Sequence, residues 1–212
     1  MKNIKARSKE ILKRLVAFIP DPKTELNFSS PYEALVAVIL SAQCTDKRVN
    51  LVTPQFFKKW PDAKSLAGAE VDEIKKVIGS INFFNNKSKN LSLLGMMLVM
   101  KYDGKVPNTQ KELVALPGVG VKTANVILSV VFDVPAMAVD THVFRVSHRL
   151  GLTTAKTVEK TGEDLCTMIP KKMWSDSHHL FILFGRYTCK AIKPLCSTCP
   201  LLDICPYDKK NL

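Results

Sequence analysis

Apolar residues recur at helical spacing along most of the chain. In the segment 4–19 they recur every three or four residues, which places them on one face of a helix that Pro20 ends. The same period predicts further helices, at about residues 46–59, 70–78, 86–101, 121–131, 141–150, 157–168 and 177–189. No run alternates convincingly as a half-buried strand does, and Val126–Val134 continues a helical period from Lys122. The pattern therefore predicts an all-α protein.

Two four-residue patterns mark the starts of helices. Ser30-Pro31-Tyr32-Glu33 combines a capping hydroxyl, a proline at the first helical position and a glutamate three residues after the serine, and it opens an apolar run to Leu40. Thr109-Gln110-Lys111-Glu112 has the same spacing of hydroxyl and glutamate, without the proline, and opens a short helix to Leu116. The last 23 residues are dense in Cys and Pro, which predicts a loop organised by a ligand rather than a helix.

Charge and hydrophobicity narrow the choice of partners. The 212 residues carry a formal net charge of +12, which favours nucleic acid as a partner, although a solvated basic surface gives the same count. The apolar runs are far shorter than the ~20 residues that cross a bilayer, so no membrane partner is predicted. The first 15 residues are too charged for a secretory signal, which predicts a cytoplasmic protein.

A glycine-containing turn lies between two predicted helices, in the segment Leu116–Thr123. Two glycines one residue apart, Gly118 and Gly120, allow a tight turn with positive φ. The backbone amides of Gly118, Gly120 and Val121 would then point outward at a helix N-terminus, an arrangement that binds phosphate. A corner between two helices without any ligand would show the same bare pattern.

Lys122 and Asp140 are the candidate reactive groups. Most lysines at such a place contact solvent or one phosphate. The alternative is a nucleophilic amine, because the positive end of a helix favours the uncharged form that can attack a sugar carbon and form a Schiff base. Asp140 precedes another predicted helix, so it can be an N-cap, the electrostatic partner of such an amine, or both.

Four of the six cysteines fall within 17 residues, at Cys189, Cys196, Cys199 and Cys205. Their thiolates suit either a tetrahedral zinc ion or an iron–sulfur cluster. Zinc ribbons usually pair two Cys-x2-Cys knuckles, and this segment has one, so the cluster is favoured over zinc. Disulfides are disfavoured in the reducing compartment that the N-terminus predicts.

These motifs together resemble the helix-hairpin-helix DNA glycosylases. LPGVGVKTA at Leu116–Ala124 is followed, 18 residues after its lysine, by the aspartate of VDTHV at Val139–Val143. ILSAQCTD at Ile39–Asp46 and the cysteine spacing make the endonuclease III branch the closer match, over essentially the whole chain. The resemblance implies two all-α lobes. Residues 24–134 would form a six-helix domain with the hairpin, and 1–23 with 135–212 a helical domain with the cluster.

The resemblance implies a base-excision repair enzyme that removes oxidised pyrimidines from damaged double-stranded DNA. In that family the lysine that matches Lys122 attacks C1′ and forms a Schiff base, and β-elimination then nicks the strand 3′ to the site. The aspartate that matches Asp140 is needed for base loss. The four cysteines would hold a [4Fe–4S] cluster. A monomer is expected, in the cytoplasm, at the nucleoid if the cell is bacterial.

The resemblance also assigns residues that contact DNA. Gln43 matches the glutamine that fills the space of the expelled base. Phe83 stands where the family commonly has a leucine wedge, with core packing as its alternative role. Lys190 and Lys193 match loop cations that face a phosphate. The hairpin residues that grip one strand are Gly118, Val119, Gly120 and Val121.

Two other functions stay open at this stage. A monofunctional adenine or mismatch-thymine glycosylase shares the fold, but those branches generally lack the lysine at position 122, and the adenine branch has a glutamate where this chain has Ala37. A non-enzymatic iron–sulfur DNA-binding regulator would need neither Lys122 nor Asp140. The presence of both residues therefore favours a bifunctional glycosylase and AP lyase.

Overall fold

The computed structural model describes residues 2–212, and these residues fold into eleven α-helices with no β-strand. The predicted all-α fold class is confirmed. The helices, in chain order and with one short 3₁₀ turn at Lys171–Met173, are α1 (Lys2–Phe18), α2 (Pro31–Ser41), α3 (Asp46–Lys59), α4 (Ala63–Ala67), α5 (Val71–Ile78), α6 (Phe84–Tyr102), α7 (Gln110–Val114), α8 (Val121–Phe132), α9 (Thr141–Arg149), α10 (Val158–Met168) and α11 (Trp174–Tyr187). In this part of the chain no helix is long and apolar enough to cross a bilayer.

Two local features differ from the sequence prediction. Helix α4 is absent from it, because five residues are too few to show a helical period, although Asp62 caps this helix. The capping box predicted at Ser30 is only half formed. Ser30 Oγ accepts from the Glu33 N–H at 3.2 Å, but the Glu33 carboxylate accepts from the Ser29 N–H at 2.7 Å instead of the Ser30 N–H.

The chain divides into two compact units. One is Glu25–Asp133, and the other combines the residues up to Thr24 with Val134–Leu212. The predicted domain limits, 24 and 134, stand one residue outside the first unit at each end. Those limits, as boundaries of domains that fold by themselves, stay a prediction.

The unit Glu25–Asp133 is built around α2. Every residue of Ala34–Leu40 is buried, as expected of a helix that is apolar on all sides and packs against α3, α6 and α8. Helix α6 lies so close to α4 that a Cβ added at Gly95 would come within 2.6 Å of the Ala67 backbone nitrogen. The core therefore fixes the ends of α2, α6 and α8, from which the candidate functional residues of this unit project.

The second unit packs α1 with α9, α10 and α11. Its shared core joins residues from both ends of the chain, including the cysteine-rich tail: Ile11, Leu15, Val143, Val146, Leu165, Leu180, Phe181, Phe184 and Leu201. Because Leu201 is fully buried there, the tail is anchored to the helices by apolar contact as well as by its cysteines.

Candidate active site and cysteine loop

The glycine-containing turn connects α7 to α8. Gly118 has a φ of +78°, a conformation that favours glycine, and a Cβ there would also press to within 3.2 Å of the Asn90 side chain. Gly120 is the N-cap of α8, where the described residues supply no side-chain cap, and a Cβ built on it would meet nothing within 4 Å. The start of α8 thus presents backbone amides without a capping side chain, as an anion site requires.

The remaining hairpin residues divide between anchoring and exposure. Val119 is buried, and its N–H donates to the Leu116 carbonyl at 3.1 Å, so its side chain holds the turn in place. Val121 and Lys122 are exposed on the first turn of α8, and that turn carries no acidic side chain. The structure therefore places Lys122 beside the amides of a candidate phosphate site.

Asp140 is the N-cap of α9, so this part of the sequence interpretation is confirmed. Its Oδ1 accepts hydrogen bonds from the N–H groups of His142 and Val143, both at 2.8 Å. The two bonds fix the orientation of a half-buried carboxylate. Burial lowers the pKa of the neighbouring His142, which keeps its ring neutral at pH 7, and its Nδ1 lies 3.2 Å from Arg145 Nη2.

Gln43 and Phe83 both project from loops in the unit Glu25–Asp133. Gln43 is exposed, and Phe83 keeps 60% of its surface in solvent, so core packing is the wrong interpretation of Phe83. Both have left-handed backbones, with φ values of +55° and +59°. Such a conformation costs on the order of 1–3 kcal/mol outside glycine and persists only where neighbouring groups hold it.

Two polar residues that the sequence did not single out contact these loops. Asn82 Nδ2 donates to the Gln43 carbonyl at 2.7 Å. Lys87 is buried, and its Nζ donates to the carbonyls of Leu40 at 2.8 Å and Ala42 at 2.7 Å. Burial lowers the pKa of Lys87. The sequence gives no signal that separates Lys87 from the neighbouring Lys89, which is exposed on the same helix.

The four clustered cysteines line one open pocket. None forms a disulfide, and burial raises the pKa of the Cys189 and Cys199 thiols. Burial thus disfavours the thiolate form, which a bound metal group would stabilise. Four cysteine sulfurs around one pocket fit an iron–sulfur cluster, whose iron atoms are held by Cys thiolates.

Arginines of α9 and α1 hold the backbone of the cysteine loop. Arg149 donates to the carbonyls of Lys190 at 2.6 Å and Ala191 at 3.0 Å. The same guanidinium lies 3.6 Å from Cys189 Sγ and 4.4 Å from the centre of the Tyr207 ring. Arg7 donates to the Ile204 carbonyl at 2.6 Å. The helices thus fix the loop that carries the pocket.

Lys190 and Lys193 are exposed on the first segment of that loop, between Cys189 and Cys196. Lys193 has a left-handed backbone with a φ of +48°. Ile192, between the two lysines, keeps 82% of its surface in solvent. The segment therefore presents two cations on a constrained backbone, a suitable geometry for contact with a phosphate.

Comparison with known proteins gives the family. Residues 36–171 match the family described as HhH-GPD superfamily base excision DNA repair protein, and residues 189–205 match the iron-sulfur binding domain of endonuclease III. Endonuclease III of Bacillus subtilis (strain 168) is 47% identical over 206 residues, which cover 95% of this chain and 94% of that protein. The chain belongs to the endonuclease III family.

Two further matches agree with this placement. Endonuclease III of Escherichia coli (strain K12) is 44% identical over 206 residues, which cover 97% of this chain and 98% of that protein. A solved structure described as a trapped endonuclease III–DNA covalent intermediate, in an estranged-adenine complex, superposes with a TM-score of 0.92. It is 46% identical, and the match covers 95% of each chain.

Membership of the endonuclease III family confirms the central predictions from the sequence. The chain is a DNA glycosylase and AP lyase of base excision repair, it binds DNA, and it carries an iron–sulfur cluster. The non-enzymatic regulator and the monofunctional glycosylase are therefore set aside. The roles of individual residues belong to the proposal that follows.

Proposed function

We propose that the chain, as a monomer, removes oxidised pyrimidines from damaged double-stranded DNA, with Lys122 as the nucleophile. The observation that carries this proposal is the geometry at the start of α8. Backbone amides without a side-chain cap lie beside the exposed Lys122 there, in a helical turn that carries no acidic residue. A phosphate bound by the amides would bring the neighbouring sugar within reach of the amine. The substrate would place the enzyme in the cytoplasm, at the nucleoid if the cell is bacterial.

The proposed chemistry follows from an amine and a carboxylate. Lys122 Nζ in its neutral form bonds to C1′ while the bond from C1′ to the base breaks, and the base leaves with a proton. Positive charge on the sugar is stabilised by the Asp140 carboxylate, which also favours the neutral amine by accepting its proton. The C1′–O4′ bond of this adduct then opens as O4′ takes the proton that Asp140 accepted, and the nitrogen lone pair forms the Schiff base. The Schiff base acidifies the C2′ hydrogen, and loss of this hydrogen as a proton expels the 3′ phosphate and nicks the strand.

The proposed DNA contacts are distributed over three segments. The amides of Gly118, Gly120 and Val121 bind a phosphate, and the buried Val119 anchors their turn. Gln43 fills the space that the expelled base leaves, and the exposed Phe83 inserts as an aromatic wedge in the opposite strand. Lys190 and Lys193 contact a further phosphate.

The four cysteines at 189, 196, 199 and 205 are the proposed ligands of a [4Fe–4S] cluster. Bound there, the cluster supplies a covalent cross-link that orders the loop. The exposed positions of Lys190 and Lys193 on the segment between the first two cysteines support this structural role.

Borohydride trapping tests the proposed function directly. The purified protein is mixed with a duplex that contains one thymine glycol, and sodium borohydride is added to reduce any imine. We expect a covalent protein–DNA band together with strand nicking, because the reduced Schiff base is stable. Release of the base without a band or a nick would contradict the assignment of an amine nucleophile.

Replacement of Cys199 by serine should remove the cluster and weaken DNA binding. We expect loss of the visible iron–sulfur absorbance, and an affinity for duplex DNA lower by on the order of tenfold, because Lys190 and Lys193 lose their fixed positions. Iron per chain and fluorescence anisotropy measure the two effects. Cys166→Ser, at a half-buried cysteine outside the loop, is the control and should keep its iron. Full iron content and native affinity in Cys199→Ser would contradict the ligand assignment.

A further inference from the structure

Lys87 contacts both loops that carry the proposed DNA-inserting residues. Its Nζ donates to the Ala42 carbonyl at 2.7 Å, directly before Gln43, and to the Leu40 carbonyl at 2.8 Å. Its backbone N–H donates to the Phe83 carbonyl at 3.0 Å, in the first turn of α6. One residue therefore ties the end of α2 to the start of α6.

Asn82 makes a second connection between the same loops. This residue directly precedes Phe83, and its Nδ2 donates to the Gln43 carbonyl at 2.7 Å. The carbonyls of the consecutive residues Ala42 and Gln43 thus accept hydrogen bonds from Lys87 of α6 and from Asn82 of the Phe83 loop. The spacing between the two loops is fixed by hydrogen bonds on two consecutive residues.

Lys87 is buried, which is uncommon for a lysine side chain. Only 7% of its surface is exposed, so its charge has to be satisfied by nearby acceptors. The acceptors are carbonyls at the C-terminal end of α2, where the helix dipole is negative and the last carbonyls lack partners within the helix. The neighbouring Cys44 thiol is the other titratable group that faces this ammonium. Lys87 therefore acts as a side-chain cap for α2.

Gln43 and Phe83 need such support because both have left-handed backbones, with φ values of +55° and +59°. We propose that Lys87 and Asn82 are positioning residues that hold the two loops as one rigid unit, so that Gln43 and Phe83 enter the duplex in a single step. This inference rests on the proposed inserting roles of Gln43 and Phe83. Preorganised loops avoid the ordering cost at the moment of insertion, which speeds this step without strengthening contact with the DNA backbone.

Stopped-flow fluorescence tests this proposal with the full chain. The probe is a duplex with 2-aminopurine opposite a tetrahydrofuran abasic analogue, whose fluorescence rises when the opposite base is unstacked. Two variants remove the tethers: Asn82→Ala removes one donor at an exposed position, and Lys87→Met removes the ammonium but keeps the length of the side chain. Asn86→Ala and Lys89→Met, at exposed positions on α6, are the matched controls.

We expect the rate of the fluorescence rise at saturating protein to fall about fivefold in Asn82→Ala and about tenfold or more in Lys87→Met. The Kd for an undamaged duplex should stay within about twofold of the native value in both, because backbone contacts are unchanged. The controls should match the native protein. A thermal melt of every variant shows whether it is folded. If Lys87→Met does not fold, the insertion rate of Asn82→Ala alone tests the proposal.

Two results would overturn the inference about the tethers. The first is native insertion rates in both tether variants while Gln43→Ala is slow. The second is slow insertion accompanied by an equal loss of affinity for undamaged DNA, which would show general destabilisation. If Gln43→Ala and Phe83→Ala themselves insert at the native rate, the proposed inserting roles fail, and the inference that rests on them fails too. The Gln43→Ala and Phe83→Ala variants thus distinguish the two failures.

Discussion

Replacement of Lys122 by alanine should abolish strand nicking and the borohydride-trapped band. The side-chain amine is the group that forms the bond to C1′, and methyl cannot replace it, so we expect a fall of at least about 10³-fold in nicking of a thymine glycol duplex. Binding to a duplex with an abasic analogue should weaken only modestly, because one cation among many backbone contacts is lost. Gel assays of nicking and anisotropy measurements of Kd give the two quantities.

Two controls separate the nucleophile from its charge. Lys122→Arg keeps the positive charge but offers no nucleophilic amine, so it should bind DNA like the native protein and fail to form the trapped band. Lys111→Ala removes an exposed cation from α7, the helix before the turn, and should nick at the native rate. Native nicking by Lys122→Ala would assign the Schiff base to a different amine.

Much of the helical architecture can be predicted from the sequence, because long amphipathic or fully apolar helices have a visible period. Helix α2 is an example, since its capping serine, first-turn proline and apolar run lie within one continuous segment. Helix α4 shows where this approach ends. Its five residues contain too little pattern, and its packing against α6 depends on Gly95, which lies in a distant part of the chain.

In the candidate site too, features that depend on adjacent residues can be predicted from the sequence, and features that depend on distant residues cannot. The turn before Lys122 and the cap at Asp140 are encoded by adjacent residues, so the sequence indicates both. The roles of Lys87 and Arg149 depend on carbonyls 47 and 41 residues away, which no local pattern reveals. Phe83 is intermediate, because an aromatic residue in a loop suits a core as well as a wedge, and only its exposure decides against the core.

Replacement of Asp140 by asparagine should separate catalysis from helix capping. An asparagine oxygen can still accept from the N–H groups of His142 and Val143, and Asn and Asp are about equally good N-caps, so the melting temperature should stay close to native. The negative charge is lost, however. We therefore expect release of thymine glycol to slow by about 10²–10⁴-fold, the range typical of a lost catalytic acid–base or electrostatic group.

Single-turnover base release measures catalysis and thermal melts measure stability, both on the same set of variants. Asp140→Ala loses both capping bonds, which costs about 1 kcal/mol of stability, and should release base as slowly as Asp140→Asn. Asp62→Ala removes the equivalent cap from α4 and should melt earlier while releasing base at the native rate, because a cap by itself has no part in the chemistry. If Asp140→Asn releases base at a near-native rate while Asp140→Ala is destabilised and slow, Asp140 is a structural cap and not a catalytic residue. Slow release by both variants, with only the alanine variant destabilised, assigns the carboxylate charge to the reaction.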